Sequence, residues 1–390
     1  MRQNNIVLQV FRNIHPVGQG AFYSETLHVP GSTEDKYIVY DCGTSSKRGR
    51  LNDEISGALP DGKGIDVLFI SHFHEDHING IKNLAKNHRI KYVVLPQIDG
   101  YEWFFVVNNY LNSTNDAGMP DTDFLDDLRG ALKESKIIQV SPAAGDMSPV
   151  SEQSMPFDLA GPIFDGGSPL SLDKDDNKLW HYVAVNPLSK DKLESLRKEI
   201  ETLTYGGKPV NVADLHKPEI LIALSSELRD RYEKVFKGGN EYSMCVLSEA
   251  ENRYKFEFYS HLYHIRENAA YGECWGYRHS KDGALYTGDA DFLNTNALKR
   301  IHERLGEHGQ RILLLQLPHH GSIHNFNVDL LNWAGSHLIS FACYGKKNSF
   351  HHPSSVVMGT AGTYGVSIGM DETESHALCL RTDIVGTEEK

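Results

Sequence analysis

Residues 66–80 place four potential metal ligands within six positions, directly after an apolar run. The run over 67–70 has the continuous apolar character of a short buried strand. The residues after Asn79 predict a helix over 80–88. The ligands therefore lie in a strand-to-helix loop; they are His72, His74, Asp76 and His77.

This spacing favours a catalytic metal site over a closed structural one. His72 and His74 are two residues apart, so in an extended segment both side chains point the same way and can hold one ion. Asp76 and His77 can hold a second. Imidazole and carboxylate suit zinc, manganese or iron, and no thiolate is present to close a structural zinc site. The cofactors expected are two divalent metal ions, zinc or manganese. The alternative is that these residues form a solvated loop and bind no metal.

The motif resembles the signature of the metallo-β-lactamase-like hydrolases. Further motifs follow in the order found in the metallo-β-lactamase-like domain of the DNA-uptake channel ComEC: Val17-Gly18-Gln19-Gly20, Tyr40-Asp41-Cys42-Gly43, Asn240 with Ser243, Thr287-Gly288-Asp289, Pro318-His319-His320-Gly321-Ser322 and His352-Pro353. The resemblance implies an α/β fold, an αββα metallo-β-lactamase sandwich with a large mixed α/β insertion. It places the metals at one edge, between two sheets.

The resemblance also implies a division of the chain into three regions. Residues 1–97 would form the first half of the metallo-β-lactamase-like domain, and residues 240–390 the second half. Residues 98–239 would be an insertion. Periodicity within it predicts one strand, over 180–186, and three helices, over 122–135, 190–204 and 215–237. The insertion is interpreted either as a lid over the catalytic face or as a surface that docks a partner or a second copy.

Further metal ligands follow from the resemblance. In the family, an aspartate at the position of Asp289 bridges the two ions, and a histidine at the position of His319 completes one coordination shell. His319 and His320 would point to opposite sides of an extended segment, so the choice between them stays open, with His319 favoured. His324 is an additional candidate close by.

Supporting and catalytic roles are assigned to other polar residues. The resemblance implies that Asp41, Asn240 and Ser243 support the ligands by hydrogen bonding. Asp76 is expected both to bind metal and to orient the attacking water. Candidates to protonate the leaving group are His320 and His352.

One departure from the family pattern concerns the first metal. Most two-metal members supply it with a third histidine from a turn between the first motif and the bridging aspartate. No such turn occurs here, and Asn240 and Ser243 stand in its place. Four histidines could substitute: His181, His216, His261 and His264.

Overall composition narrows the function. The net charge is −13 and the pI is near 5.8. Proteins that bind long DNA usually carry a basic stripe, and none is obvious here. The charge therefore disfavours tight binding of long nucleic acids, but it does not exclude nuclease chemistry. The five cysteines have no paired spacing and are expected to be reduced, buried thiols. No run approaches 18 apolar residues, so we expect a cytoplasmic protein without a membrane association.

These observations together predict a metal-dependent hydrolase that uses a metal-bound hydroxide. The resemblance favours a phosphodiesterase or nuclease. Two alternatives remain: a hydrolase of a small-molecule ester, lactone or amide, and a partner-activated subunit of a multi-protein system, such as a defence system, contacted through residues 98–239.

Overall fold

The computed structural model describes residues 6–97, 130–142, 154–172, 178–211, 214–215, 217–236, 243–251, 256–266, 269–271, 277–293, 296–374 and 377–386. The strands are β1 (Ile6–Ile14), β2 (Gly20–His28), β3 (Lys36–Thr44), β4 (Ile65–Phe69), β5 (Ile90–Pro96), β6 (Lys136–Val140), β7 (Met155–Pro156), β8 (Ile163–Phe164), β9 (Pro169–Ser171), β10 (Trp180–Val185), β11 (Thr204–Tyr205), β12 (Lys208–Pro209), β13 (Cys245–Ala250), β14 (Phe256–Arg266), β15 (Ala269–Tyr271), β16 (Tyr277–His279), β17 (Gly283–Tyr286), β18 (Ile312–Gln316), β19 (Leu338–Cys343), β20 (Gly365–Met370) and β21 (Leu378–Gly386). The α-helices are α1 (Arg48–Ala58), α2 (Glu75–Ile78), α3 (Ile81–Asn87), α4 (Lys190–Ile200), α5 (Pro218–Ala223), α6 (Ser225–Phe236), α7 (Ala297–Leu305), α8 (Asp329–Ala334) and α9 (Ser355–Gly362).

Two large sheets form the centre of the fold. The first has the order β15-β14-β21-β1-β2-β3-β4-β5-β6-β8, with β16 paired to β14, and the second has the order β20-β19-β18-β17-β13-β10-β9-β7. Strands β3 to β6 run parallel in the first sheet, as do β17 to β20 in the second. The carboxyl ends of parallel strands meet at one edge of a sheet, where loops can bring distant residues together.

Three apolar clusters define four layers. Val10, Tyr40 and Phe69 of the first sheet pack against Tyr182 and Val246 of the second, which buries the inner faces of both sheets together. The outer face of the first sheet packs against helices α1, α3, α4 and α6, and that of the second against α7, α8 and α9. The order is helices, sheet, sheet, helices, so the predicted αββα metallo-β-lactamase sandwich is the fold of this chain.

Strands from the predicted insertion join both sheets. β6 pairs in parallel with β5 in the first sheet, and β10 pairs with β13 in the second. All six residues of β10 are buried, as expected of a strand covered on both faces. The division at residues 98–239 stays a prediction, and much of the predicted helix over 122–135 lies outside the described residues. The predicted helix over 215–237 is two helices, α5 and α6.

The described part of the chain contains no helix that is long and apolar enough to cross a membrane.

Four of the five cysteines fall within the described residues, and all four are buried free thiols: Cys42, Cys245, Cys343 and Cys379.

A buried ion-pair network, called the far-end network below, lies at the end of β13 in the second sheet. Glu249, at the end of β13, accepts hydrogen bonds from Arg311 Nη1 at 2.8 Å, His181 Nε2 at 3.1 Å and His308 Nδ1 at 2.5 Å. Arg311 also pairs with Asp282 at 3.0 Å. Burial opposes the Glu249 carboxylate, but the hydrogen bonds from the two histidines and the charge of Arg311 lower its pKa to about 2.

This network predicts a specific dependence of stability on pH. The pKa of Glu249 is lower in the folded state than in the unfolded state. The ionised carboxylate therefore makes its full contribution to the free energy of unfolding above the unfolded-state pKa of about 4.3, and this contribution is lost as the pH falls toward about 2. Glu249→Gln is expected to lower the free energy of unfolding by about 3 kcal/mol at pH 7. The difference from the wild type should shrink between pH 5 and 2 in urea titrations. A difference that does not change with pH would contradict this assignment.

Candidate metal centre

Asp41 fixes the orientation of two of the predicted ligands. Its Oδ1 accepts a hydrogen bond from Ser71 N at 2.7 Å, and its Oδ2 accepts from Ser71 Oγ at 2.6 Å and from His77 Nδ1 at 2.8 Å. Since the Ser71 hydroxyl donates to Asp41, it accepts from His72 Nδ1 at 2.9 Å. Both imidazoles therefore carry their proton on Nδ1 and leave Nε2 to ligate a metal.

The carboxylate of Asp289 lies between two groups of histidines. Its Oδ1 is 3.2 Å from His77 Nε2 and 3.8 Å from His320 Nε2. Its Oδ2 is 3.7 Å from both His72 Nε2 and His319 Nε2. One oxygen thus faces each group, so the carboxylate can contact ligands on both sides.

Asp76 and His74 extend the two sides of this centre. Asp76 Oδ2 is 3.3 Å from His320 Nε2, and Asp76 Oδ1 is 4.0 Å from His77 Nε2. The ring of His74 lies edge-on to that of His72, with the centroids 4.5 Å apart. The side of Asp289 Oδ1 thus has His77 and His320, with Asp76 close to both, and the side of Asp289 Oδ2 has His72 and His319, with His74 beside His72.

Three sets of side chains among the described residues have ligand atoms close enough to hold an ion; two lie at this centre, and the third, of His181, Glu249 and His308, lies in the ion-pair network at the end of β13. Within 4.8 Å of one another lie the ligand atoms of His72, His77 and Asp289, and likewise those of Asp76, His77 and His320. His77 belongs to both sets, but its Nδ1 is engaged by Asp41. Its Nε2 can therefore serve one ion at a time.

The chemistry of these side chains fits divalent metal ions. Burial holds the pKa of His72 well below its usual value and lowers that of His74 to about 4, so both imidazoles are neutral at pH 7. Burial opposes the Asp289 carboxylate, but His77, His319 and His320 hold its pKa well below the usual range. Neutral imidazoles and ionised carboxylates are the forms that bind metal. Among the described residues, the buried His77 Nε2 has no hydrogen-bond partner.

The three carboxylates around the His77 imidazole favour a positive charge at this position. Burial disfavours the imidazolium, yet the carboxylates of Asp289, Asp76 and Asp41 raise the pKa of His77 well above its usual value. Burial raises the pKa of Asp41 itself, despite the proximity of His77 and the hydrogen bonds from Ser71. A divalent ion can take the place of the His77 proton, and metal binding would then release protons.

The backbone around Asp289 is held by close packing. Asp289 N donates to Ser243 Oγ at 2.9 Å, which places Ser243 beside a candidate ligand. Gly288 has φ +53°, and a Cβ there would lie 2.3 Å from Ser243 Oγ. Gln316 Oε1 accepts from the backbone N of Thr287 and of Gly288. Sequence reasoning missed Gln316, because its role depends on pairing between β17 and β18.

His319 and His320 both reach the centre, on opposite sides of Asp289. Each has a left-handed backbone, with φ of +48° and +56°, whereas the sequence interpretation assumed an extended segment. His320 is buried, and its Nδ1 donates to the carbonyl of Cys343 at 2.9 Å, so its Nε2 faces Asp76. The side chain of His319 is 31% exposed. The geometry makes both histidines candidate ligands, and the choice of His319 over His320 stays a prediction.

His352 lies at the mouth of the centre. Its ring is 5.4 Å from that of His319 and 6.2 Å from that of His320. Asn348 holds its backbone in both directions, accepting from His352 N at 2.9 Å and donating to His352 O at 2.7 Å. Partial burial, with the nearby His319 and His320, lowers the pKa of His352 to about 4. The role of His352 in protonating the leaving group stays a prediction.

The remaining predicted residues lie elsewhere or cannot be placed. Asn240 and His216 lie outside the described residues. His181 lies in the far-end network, where the positive charge beside Glu249 comes from Arg311. His261, on β14, has its Nε2 4.0 Å from a carboxylate oxygen of Asp383, on β21. Of the four histidines proposed as a third ligand, neither of these two reaches the centre. Ser71 was not singled out from the sequence, because a serine before the motif carries no distinctive signal.

Residues 31–148 match the family model described as "Metallo-beta-lactamase superfamily". The match spans less than a third of the chain. It includes β3, the loop with the four clustered ligands and β5. The superfamily consists mostly of metal-dependent hydrolases, in agreement with the candidate metal-binding groups. No curated protein matches the chain significantly.

Solved structures show only distant similarity. Unliganded yeast PDE1 is 11% identical, with 96% of this chain and 99% of that chain covered and a TM-score of 0.41. The Rm3 metallo-β-lactamase is 9% identical, with 78% and 76% covered and a TM-score of 0.26. ST1585 from Sulfolobus tokodaii, an archaeal metallo-β-lactamase superfamily protein, is 12% identical, with 58% and 85% covered and a TM-score of 0.20. These values are too low to carry an inference about substrate.

Asp41→Asn tests how the ligands are oriented. Asparagine tolerates the left-handed backbone of Asp41, which has φ +55°, but its uncharged amide cannot accept all three hydrogen bonds. We expect zinc affinity to fall by about 10- to 100-fold, as for other groups that orient a ligating histidine. Competition with a chromogenic chelator measures the affinity, and circular dichroism checks the fold. An affinity equal to that of the wild type would exclude this role for Asp41.

Proposed function

We propose that the chain is a metal-dependent phosphodiesterase that acts on a nucleotide or a short single-stranded nucleic acid, with two divalent ions, zinc or manganese, at the centre. The observation that carries the proposal is the position of Asp289, one oxygen of which faces His72 and His319 and the other His77 and His320. Such an arrangement suits a pair of ions clamped about one reacting phosphoryl group.

The residues at the centre have separate tasks in this proposal. His72, His74 and His319 would hold one ion, and Asp76, His77 and His320 the other, with Asp289 between them. Ions bound there would lower the pKa of water to near neutrality and stabilise charge on the phosphoryl oxygens. Asp76 can accept a hydrogen bond from the attacking water. In the reaction, a water oxygen bonds to phosphorus, one ester P–O bond breaks, and the departing alkoxide takes up a proton.

Charge near the mouth supports an anionic substrate. Exposed cations lie on two loops: Lys47 after β3, and Lys346 and Lys347 after β19. Arg48, the first residue of α1, is also exposed but pairs with Glu75 at 2.9 Å. The two loops are adjacent, because Gly345 N donates to Gln19 Oε1 and Gln19 N donates to Ser46 Oγ. These cations are local, since the chain as a whole carries −13. A short phosphodiester therefore suits the protein better than a long duplex.

The resemblance of the motif order to the ComEC hydrolase domain also supports a phosphodiester. Asn240 and Ser243 stand where other members of the family have a third histidine, and the structure brings Ser243 to the backbone of Asp289. A small-molecule lactone or ester is the second candidate, and the net charge of −13 is the observation that favours it.

Hydrolysis of bis-p-nitrophenyl phosphate tests the proposal. The wild-type protein loaded with Mn²⁺ or Zn²⁺ should release p-nitrophenol in a metal-dependent manner and should lose this activity after chelation. Aryl esters and lactones assayed in parallel should react more slowly. Turnover of a lactone without turnover of the phosphodiester would overturn the proposal in favour of the second candidate.

Alanine variants locate the activity. His74→Ala and Asp289→Ala should each lower both metal content and phosphodiesterase kcat/KM, the latter by about 100-fold or more. This exceeds the roughly 10- to 100-fold effect of residues that only hydrogen-bond to a ligand. His28→Ala is the matched control, because His28 pairs with Asp35 at the other end of β2. Full metal content and turnover in either ligand variant would refute the site assignment.

A further inference from the structure

Phe350 is an exposed aromatic side chain beside the candidate metal centre. Its side chain is 68% exposed, although burying a phenylalanine is ordinarily favourable. Its ring stacks on that of His352, with centroids 5.7 Å apart and an interplanar angle of 26°. His352 in turn stacks on His320, with an interplanar angle of 27°. Phe350 is thus the outermost of three stacked rings that lead from the centre to solvent.

The loop that carries Phe350 is fixed by hydrogen bonds at both ends. At its start, Gly345 N donates to Gln19 Oε1 at 3.2 Å, and Asn348 N donates to Gly345 O at 3.0 Å. At its end, Ser354 N donates to Gly321 O at 3.0 Å, within the turn that carries the two candidate ligand histidines. The backbone on both sides of Phe350 is therefore anchored relative to the centre before any substrate binds.

Other apolar side chains are exposed on neighbouring parts of the chain. Leu293 follows Asp289 by four residues and is 51% exposed, and Ile323 follows His320 by three residues and is 44% exposed. Each of three segments with a candidate ligand or a mouth histidine thus also presents a large apolar side chain to solvent. Single exposed apolar residues are common on protein surfaces; here three of them lie within four residues, along the chain, of a candidate ligand or of His352, which favours a substrate with an apolar part.

Charge beside Phe350 indicates what accompanies that apolar part. Lys346 and Lys347 lie on the same loop, three to four residues before Phe350, and both are exposed. A substrate that meets both features has a planar apolar group joined to an anionic one. A nucleotide has this combination, because its base offers a π-face and its phosphate a charge, and aromatic side chains stack on bases without regard to sequence.

We propose that Phe350 is a base-stacking platform, which receives the nucleobase next to the phosphodiester held at the metal centre. The inference rests on the proposed phosphodiesterase function and names its substrate as a nucleoside phosphodiester. Phe350 positions the substrate and selects it, while the reacting phosphoryl group stays with the residues around Asp289.

Ligand binding tests this platform without depending on turnover. AMP and ribose 5-phosphate share a sugar phosphate and differ in the base, and their binding to the metal-loaded protein can be compared by calorimetry. The wild type should bind AMP about tenfold or more tighter than ribose 5-phosphate. Phe350→Ala should abolish this preference while leaving the affinity for ribose 5-phosphate within about twofold, and Phe350→Trp should retain it. Tyr205→Ala, at another partly exposed aromatic residue, on β11, is the matched control and should behave as the wild type does.

The outcomes separate this inference from the proposed function. If Phe350→Ala keeps the full preference for AMP, or if the wild type shows none, the platform is refuted, even where bis-p-nitrophenyl phosphate is hydrolysed. If the wild type does not hydrolyse that ester, the phosphodiesterase proposal fails. A preference for AMP that depends on Phe350 would then still establish the base-binding site.

Discussion

The buried carboxylate of Asp41 is the interaction on which the centre depends. It ties the end of β3 to the loop after β4 through three hydrogen bonds, from Ser71 N, Ser71 Oγ and His77 Nδ1. Burying a carboxylate is costly unless its oxygens are satisfied, and here both oxygens accept hydrogen bonds from the loop that they position. The same bonds fix the tautomers of His72 and His77, so local folding and ligand orientation have a single cause.

Assembly of the centre needs both sheets. The loop over 70–77 comes from the first sheet, whereas Asp289, His319 and His320 follow β17 and β18 of the second. The packing of Tyr40 and Phe69 against Tyr182 and Val246 joins the sheets, and the ligand-bearing loops then meet at one edge. Three buried or half-buried carboxylates face the histidines there: Asp41, Asp76 and Asp289. Their charge disfavours the metal-free state, and a pair of divalent ions would compensate it.

Much of this centre could be predicted from the sequence, because its ligands are concentrated in one motif. The apolar run over 67–70 and the spacing of His72, His74, Asp76 and His77 are local signals of a strand followed by a ligand loop. Asp289 was inferred from a resemblance, and the structure brings it to the same place. A supporting role was expected for Ser243, but the sequence did not specify its contact with the backbone of Asp289.

Other features depend on contacts that a sequence does not display. The positions of His319 and His320 follow from left-handed backbone angles, which a pattern interpreted as extended could not anticipate. The pairing of β10 with β13 joins residues about 65 positions apart along the chain, and the sequence analysis assigned β10 to an insertion. The lowered pKa of His352 arises from burial beside two other histidines, a contact that the sequence does not display.

Electron paramagnetic resonance of the protein titrated with Mn²⁺ tests the proposed pair of ions most directly. The account predicts binding of two equivalents and an exchange-coupled spectrum, because two ions that share Asp289 would lie roughly 3.5–4 Å apart. In Asp289→Ala the coupled signal should disappear. One equivalent of Mn²⁺, or two equivalents with the spectrum of isolated ions, would contradict the central claim that Asp289 joins two metal sites.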